Sequence, residues 1–195
     1  MLIAISGSQG SGKSTTLNAI KAKGYNIIER KTSRSILDEW NVTLQEVNNN
    51  PELTTKFQDE ITKRKFLDEQ EASLSNELWF TERTHSALFT YALVSLGKDN
   101  QYSEWLDQYY NTCKHLNDSY AKVCYLTAGH FAIEHDGVRG SNDHYSKMVD
   151  MVMLDFTKQM VDDNNLSIIT TPDLDFRLNK IFWCATGLIK TNKNK

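Results

Sequence analysis

Apolar residues along this chain follow two rhythms. Unbroken apolar-rich runs occur at Leu2–Ser6, Tyr25–Glu29, Leu78–Thr81, Lys122–Thr127 and Leu166–Thr170. Their shortness and their flanking turn residues predict buried strands. Between them, apolar positions recur at helical spacing. After Pro51, a residue suited to a first helical turn, come Leu53, Phe57, Ile61 and Leu74, in a helix expected to reach about Ser75. Tyr102, Trp105, Leu106, Tyr109, Tyr110, Cys113 and Leu116 form a second stripe. Tyr145, Met148, Val149, Val152, Phe156 and Met160 form a third, and Leu174, Leu178, Ile181, Phe182 and Ala185 a fourth. Ser14–Lys23, stopped by Gly24, and Ser33–Trp40 read as shorter helices. Ser86–Leu96 is apolar on most sides, which predicts a buried helix.

Strands that alternate with helices throughout predict an α/β fold of three layers: a five-stranded parallel sheet with helices on both faces. In such sheets ligands bind beyond the carboxyl ends of the strands. Chemistry is therefore expected just after residues 6, 29, 81, 127 and 170.

Composition narrows this picture. The chain has 195 residues, which suits one domain with one core. We expect that domain over 1–190, with 191–195 a frayed tail. The formal charge is -3, with no overall basic excess of the kind that marks nucleic-acid binders. The 3 cysteines are widely spaced, without a CxxC pair, and read as reduced thiols of a cytoplasmic protein. No apolar run is long enough to span a membrane. The histidines show no metal-ligand spacing, since His130 and His135 do not share a helical face.

The strongest chemical signal is Gly7-Ser8-Gln9-Gly10-Ser11-Gly12-Lys13-Ser14, which fits GxxxxGK[ST] at every required position. Its glycines let backbone N–H groups turn toward phosphate oxygens, and the following helix aims its positive end at the same anion. Lys13 would reach the β- and γ-phosphates of ATP, and the Ser14 hydroxyl would ligate Mg²⁺. Thr15 is placed beside the α-phosphate. The motif lies between a predicted strand and a predicted helix, the context it requires.

Beyond this loop the chain carries Ile27-Ile28-Glu29 with Arg30 and Arg34, then Glu82-Arg83-Thr84, then His135-Asp136-Gly137-Val138-Arg139-Gly140. With these motifs it resembles the small P-loop kinases that include the nicotinamide-riboside kinase domain and related AAA-type kinase-like domains. It is more distantly similar to deoxynucleoside and thymidylate kinases. The Glu82-Arg83-Thr84 segment resembles their ERS or DRS motif, and the Asp-Gly-Val-Arg segment lies where they carry a lid, here about 130–147. The resemblance implies ATP- and Mg²⁺-dependent transfer of a phosphoryl group to a nucleoside or nucleotide.

Each motif also has its own physical case. Glu29, at the carboxyl edge of the sheet, can take the proton of an attacking hydroxyl, the role the resemblance implies. Glu82 can hold Mg²⁺ through water or act as the base instead. Arg83 has the planar fork to grip the acceptor or a phosphate. Arg139, between two glycines, can neutralise the charge of phosphoryl transfer when a loop closes. Arg34 is a further candidate for the acceptor. Thr171-Pro172-Asp173 lies where related kinases contact adenine, and Asp173 serves equally as a helix cap.

Two other functions fit the residues. One is a kinase acting on a base or sugar hydroxyl within DNA, for which Lys56, Lys63, Arg64 and Lys65 are the only candidate basic groove. The other is a nucleotide-dependent switch or ATPase without an acceptor. No NKxD segment favours a GTPase, and no aliphatic run ending in Asp-Glu favours a motor ATPase.

Overall fold

Every residue of Leu2–Ser6 (β1) is buried, as a strand covered on both faces requires. In the computed structural model, which describes residues 1–29, 32–131 and 143–193, β1 is the middle of a five-stranded sheet. The other strands are Asn26–Ile27 (β2), Trp79–Glu82 (β3), Lys122–Leu126 (β4) and Leu166–Ile169 (β5), in the order β2-β3-β1-β4-β5. All pairings are parallel; Ile5 lies opposite Glu82 on one side and Cys124 on the other.

Side chains along β1 alternate between two cores. Ile3 and Ile5 pack with Phe80, Cys124, Leu126 and Ile169 beneath Lys13–Ala22 (α1) and Leu174–Lys193 (α8), which contribute Leu17, Ile20, Leu178 and Ile181. Leu2 and Ala4 face the opposite layer, with Val123 and Val161. Pro51–Ser73 (α4), His85–Leu96 (α5), Ser103–Asn117 (α6) and Asp143–Met160 (α7) lie on that side. Each fully buried Ile or Leu in these cores contributes on the order of 1.5–3 kcal/mol of transfer free energy. Thr32–Trp40 (α2) and Leu44–Asn49 (α3) close a satellite core around Ile36, Val47, Phe57 and Ile61. This is the predicted three-layer α/β fold.

Several expectations need correction. The second strand keeps only two of its five expected residues, because β2 is an edge strand paired with β3 alone. Tyr25 instead stacks its ring on Phe182 at 4.8 Å. Leu74 caps the C-terminus of α4 and is 83% exposed, so it is no part of the buried stripe. The α7 stripe is rotated: Ser146, Val149, Met153, Thr157 and Met160 are buried, whereas Tyr145 and Met148 are exposed. Helix α3 was not expected at all. Helix α8 extends to Lys193, into the segment expected as a tail. Cys113, Cys124 and Cys184 are buried and free.

Candidate active site

The loop after β1 turns on glycines. Gly7 has φ 138°, and a Cβ there would lie 2.2 Å from the Leu126 carbonyl. Gly12 has φ 81°, and a Cβ there would lie 2.7 Å from Nη1 of Arg177 and 2.8 Å from the Phe131 ring. Gly12 is the N-cap of α1 and offers no side-chain acceptor, and the first turn carries no acid. Its leading amides and positive dipole end thus remain available to an anion. Ser14 and Thr15 are exposed on that turn. Lys13 is buried; its Nζ donates to the Ser8 carbonyl at 2.7 Å and lies 3.4 Å from Ser11 Oγ. Ser11 Oγ donates to the same carbonyl at 2.8 Å. The loop is thereby folded around its own lysine, and these residues have the chemistry to take a nucleotide's phosphates, with the Ser14 hydroxyl beside them for Mg²⁺.

The sheet order divides the predicted residues into two flanks. On the β3–β2 flank, Glu82 ends β3 level with Ile5, and Glu29 follows β2, which pairs with β3. Both carboxylates are exposed at the carboxyl edge. Glu29 is ion-paired with Lys21 of α1. Arg83 extends the ladder by donating its N–H to the Ile5 carbonyl at 2.9 Å. Its backbone then turns to φ 66°, a left-handed conformation unusual for a residue with a side chain. Its guanidinium lies 5.6 Å from the Tyr91 ring centre and 3.9 Å from the Glu82 carboxylate. Arg34 is exposed on α2. Arg139 and Asp136, with most of the expected lid, lie outside the described residues.

Buried hydroxyls fix the turn that carries Glu82 and Arg83. Ser6 Oγ at the end of β1 lies 3.0 Å from Thr84 Oγ1, and Thr84 caps α5 by accepting from the Ala87 N–H. Thr84 meets Ser86 at 2.7 Å, and Ser86 meets Thr157 of α7 at 3.1 Å.

Below this turn lies a charged network that the apolar stripes did not reveal. Lys65 Nζ donates to Glu69 at 2.6 Å, to Thr81 Oγ1 at 2.9 Å and to the Glu82 carbonyl at 3.0 Å. Glu69 also accepts from the Tyr120 hydroxyl at 3.0 Å and meets Nε2 of His85 at 3.0 Å. Burial pushes the Glu69 carboxyl up, but Lys65 and His85 outweigh it and hold it at about 2. Burial pushes His85 below its ordinary value, against the pull of Glu69. Lys65 therefore belongs to the interior, and Arg64 is bound to Glu60 and Glu39. Of the four cations expected to line a DNA groove, these two are spent on acids of the chain itself.

On the β4–β5 flank, Asp150 of α7 accepts from Ser8 Oγ at 2.8 Å, the Tyr125 hydroxyl at 2.9 Å and the Ala128 N–H at 3.2 Å. It ties the phosphate loop to β4 and α7. Asp173 caps α8 by accepting from the Phe176 N–H at 2.7 Å, the capping role weighed for it. Arg177, one turn later, donates to the Ser11 carbonyl at 2.7 Å. Neither Asp150 nor Arg177 was expected; one acid or base inside an amphipathic helix has no sequence signal of its own. Phe57, Phe80 and Phe89 are core residues, and Trp79 donates to Ser75.

An AAA-domain family model matches residues 2–175. The chain belongs to that AAA-domain family. Among solved structures, it is similar to deoxyadenosine kinase from M. mycoides with products dCMP and a flexible dCDP bound. The TM-score is 0.66 at 20% identity, over 96% of this chain and 100% of that chain. The same kinase with bound dATP aligns over 100% of both chains, with a TM-score of 0.64 at 20% identity. The NadR protein in complex with NR gives a TM-score of 0.67 at 12% identity, over 88% of this chain and 46% of that one. A search of the curated proteins gives no significant match. The AAA-domain chain thus has a P-loop fold of the nucleoside-kinase kind. Among its described residues, no helix is long and apolar enough to cross a membrane.

Proposed function

We propose that this protein is a phosphotransferase that moves the γ-phosphoryl group of ATP, with Mg²⁺, to a nucleoside or nucleotide. The observation that carries the proposal is the pairing of a complete phosphate loop with Glu82 and Arg83, held at the adjacent strand end by a strained turn. Backbone strain of this kind persists where the surroundings over-determine it, and it clusters at functional sites. Similarity of fold to deoxyadenosine kinase and NadR supports the acceptor class.

In this reading the phosphate loop Gly7–Thr15 binds the donor's phosphates, and Lys13 neutralises charge on the transferring group. Ser14 and Glu82 would hold Mg²⁺, which would supply charge neutralisation for the phosphates. The acceptor enters on the β3–β2 flank, where Glu29 or Glu82 takes the proton of its hydroxyl. Arg83 and Arg34 orient it, and Arg139 is the proposed further source of charge stabilisation. Because transfer needs little covalent help, positioning and electrostatics carry most of the catalysis. Phosphorylation within DNA is disfavoured by the internal pairing of Lys65 and Arg64.

The test is incubation with γ-labelled ATP and Mg²⁺ against nucleosides, nucleoside monophosphates, nicotinamide riboside and DNA containing hydroxymethylated bases. Label on a soluble nucleoside or nucleotide is expected. Label on DNA alone would move the function to the DNA-kinase reading, and label released only as free phosphate would leave a switch or ATPase.

A further inference from the structure

Arg177 is 1% exposed, and among the described residues burial alone, with no facing carboxylate, acts on its charge. Among the described residues its guanidinium has two hydrogen bonds, both to neutral carbonyls: Nε to Thr171 at 2.5 Å and Nη1 to Ser11 at 2.7 Å. Nη2 is buried without a partner among the described residues. The guanidinium carbon lies 5.4 Å from the centre of the Phe131 ring. A buried cation with only neutral partners keeps a desolvation cost that a nearby opposite charge would offset. Folded proteins rarely tolerate such a group without reason.

The position supplies the reason. Nη1 lies 2.7 Å from where a Cβ of Gly12 would stand, directly behind the peptides that close the phosphate loop. The same fork reaches the Thr171 carbonyl after β5, so it couples two loops at the carboxyl edge. Among the described residues, a buried cation without a counter-charge and a donor without a partner thus occur beside the loop whose chemistry suits an anion.

We infer that Arg177 is a positioning residue of the donor site: it braces the Ser11 peptide, and its charge is compensated when a polyphosphate fills the loop. This rests on the proposed binding of a nucleotide by Gly7–Thr15. Three consequences follow. Arg177 helps triphosphate binding through charge, independently of the base. Its removal weakens donor binding more than turnover at saturation. Its removal does not weaken the ligand-free fold in proportion, because no carboxylate among the described residues compensates its charge.

The experiment is calorimetric titration of the full chain with Mg²⁺–tripolyphosphate and with a non-hydrolysable Mg²⁺–ATP analogue, alongside thermal unfolding with and without each ligand. Arg177→Met, Arg177→Gln and Arg177→Lys are compared with the unaltered protein. Both neutral variants are expected to lose roughly tenfold or more in affinity for both ligands, as for loss of one nearby charge. Their ligand-free Tm should stay close to that of the unaltered protein, while the ligand-induced rise in Tm shrinks. Arg177→Lys should remain within about threefold for tripolyphosphate, since the charge persists. Should Arg177→Met fail to fold, Arg177→Gln carries the same comparison with a side chain that can still donate to one carbonyl.

Unchanged affinity in the neutral variants would overturn the inference. So would a lysine variant as weak as the methionine one, or a loss seen with the ATP analogue but not with tripolyphosphate. If the unaltered protein binds neither ligand, the nucleotide-binding reading itself falls, and this inference with it; that result is distinct from binding that Arg177 does not affect.

Discussion

Arg83 concentrates the tension between stability and function at a single residue. A left-handed backbone costs a residue with a Cβ roughly 1–2 kcal/mol, and its φ of 66° puts it there. Glycine adopts that conformation freely. Arg83→Gly is therefore expected to leave Tm unchanged or raised, while transfer falls roughly a hundredfold or more with the loss of a charge-stabilising donor. A variant that loses stability but retains transfer would make Arg83 a structural residue. The two acids separate by a similar comparison. Exposed pairs such as Lys21–Glu29 contribute little to stability, so Glu29→Gln and Glu82→Gln should both fold normally. Loss of the general base should lower kcat by about 10²–10⁴, and loss of the Mg²⁺ partner should raise the Mg²⁺ concentration needed for activity. The single-turnover rate of each variant across a Mg²⁺ series measures both.

At the scale of elements, α4 shows what apolar patterning reads and what it misses. Phe57 and Ile61 were legible because they recur at helical spacing among polar neighbours. Thr54, Gln58, Thr62, Lys65 and Glu69 are equally buried, but a charged residue gives the sequence no sign that its partner arrives from another helix. Helix α3 was missed for lack of an apolar stripe, although Thr43 and Glu46 form a capping box that is readable in the sequence. The α7 face was rotated because Ser146 and Thr157 are buried polar groups, while apolar Met148 and Met151 face outward. The phosphate loop, by contrast, was legible residue by residue, because its chemistry depends on a short contiguous segment. Arg177 and Asp150 were not, because the phosphate-loop residue that each one holds lies more than a hundred residues away. Lys65→Met tests the α4 network. It leaves Glu69 buried without its ammonium, which should cost about 3–5 kcal/mol, and it frees the Glu82 carbonyl. Denaturant unfolding should show that loss. A change below about 1 kcal/mol would mean that His85 and Tyr120 suffice to hold Glu69.

For the whole molecule, the same network sets a pH dependence. His85 is held below its ordinary value by burial, so the unfolded chain binds its proton first. Stability should be complete above about pH 7 and fall as pH drops below the ordinary value of 6.5, by about 1.4 kcal/mol per unit until the folded His85 titrates. Glu69, held at about 2 against an ordinary 4.5, adds a second loss as pH falls from 4.5 toward 2. Unfolding free energies that stay level from pH 7 to pH 5 would contradict this assignment of His85. Across the sheet, the strand order places Arg177, Asp150 and the β5–α8 loop on one flank of the phosphate loop, and Glu82, Arg83 and Glu29 on the other. On the proposed function, one fold thereby offers separate ground for a donor and an acceptor, and the loop between them takes part in phosphoryl transfer. The most direct test of that role is the rate at which label passes from γ-labelled ATP to a nucleoside acceptor, in the unaltered protein and in Lys13→Ala. Measurable transfer is expected, and Lys13→Ala should abolish it while its circular dichroism stays native. Turnover retained in Lys13→Ala, or no transfer by the unaltered protein to any nucleoside or nucleotide, would contradict that role.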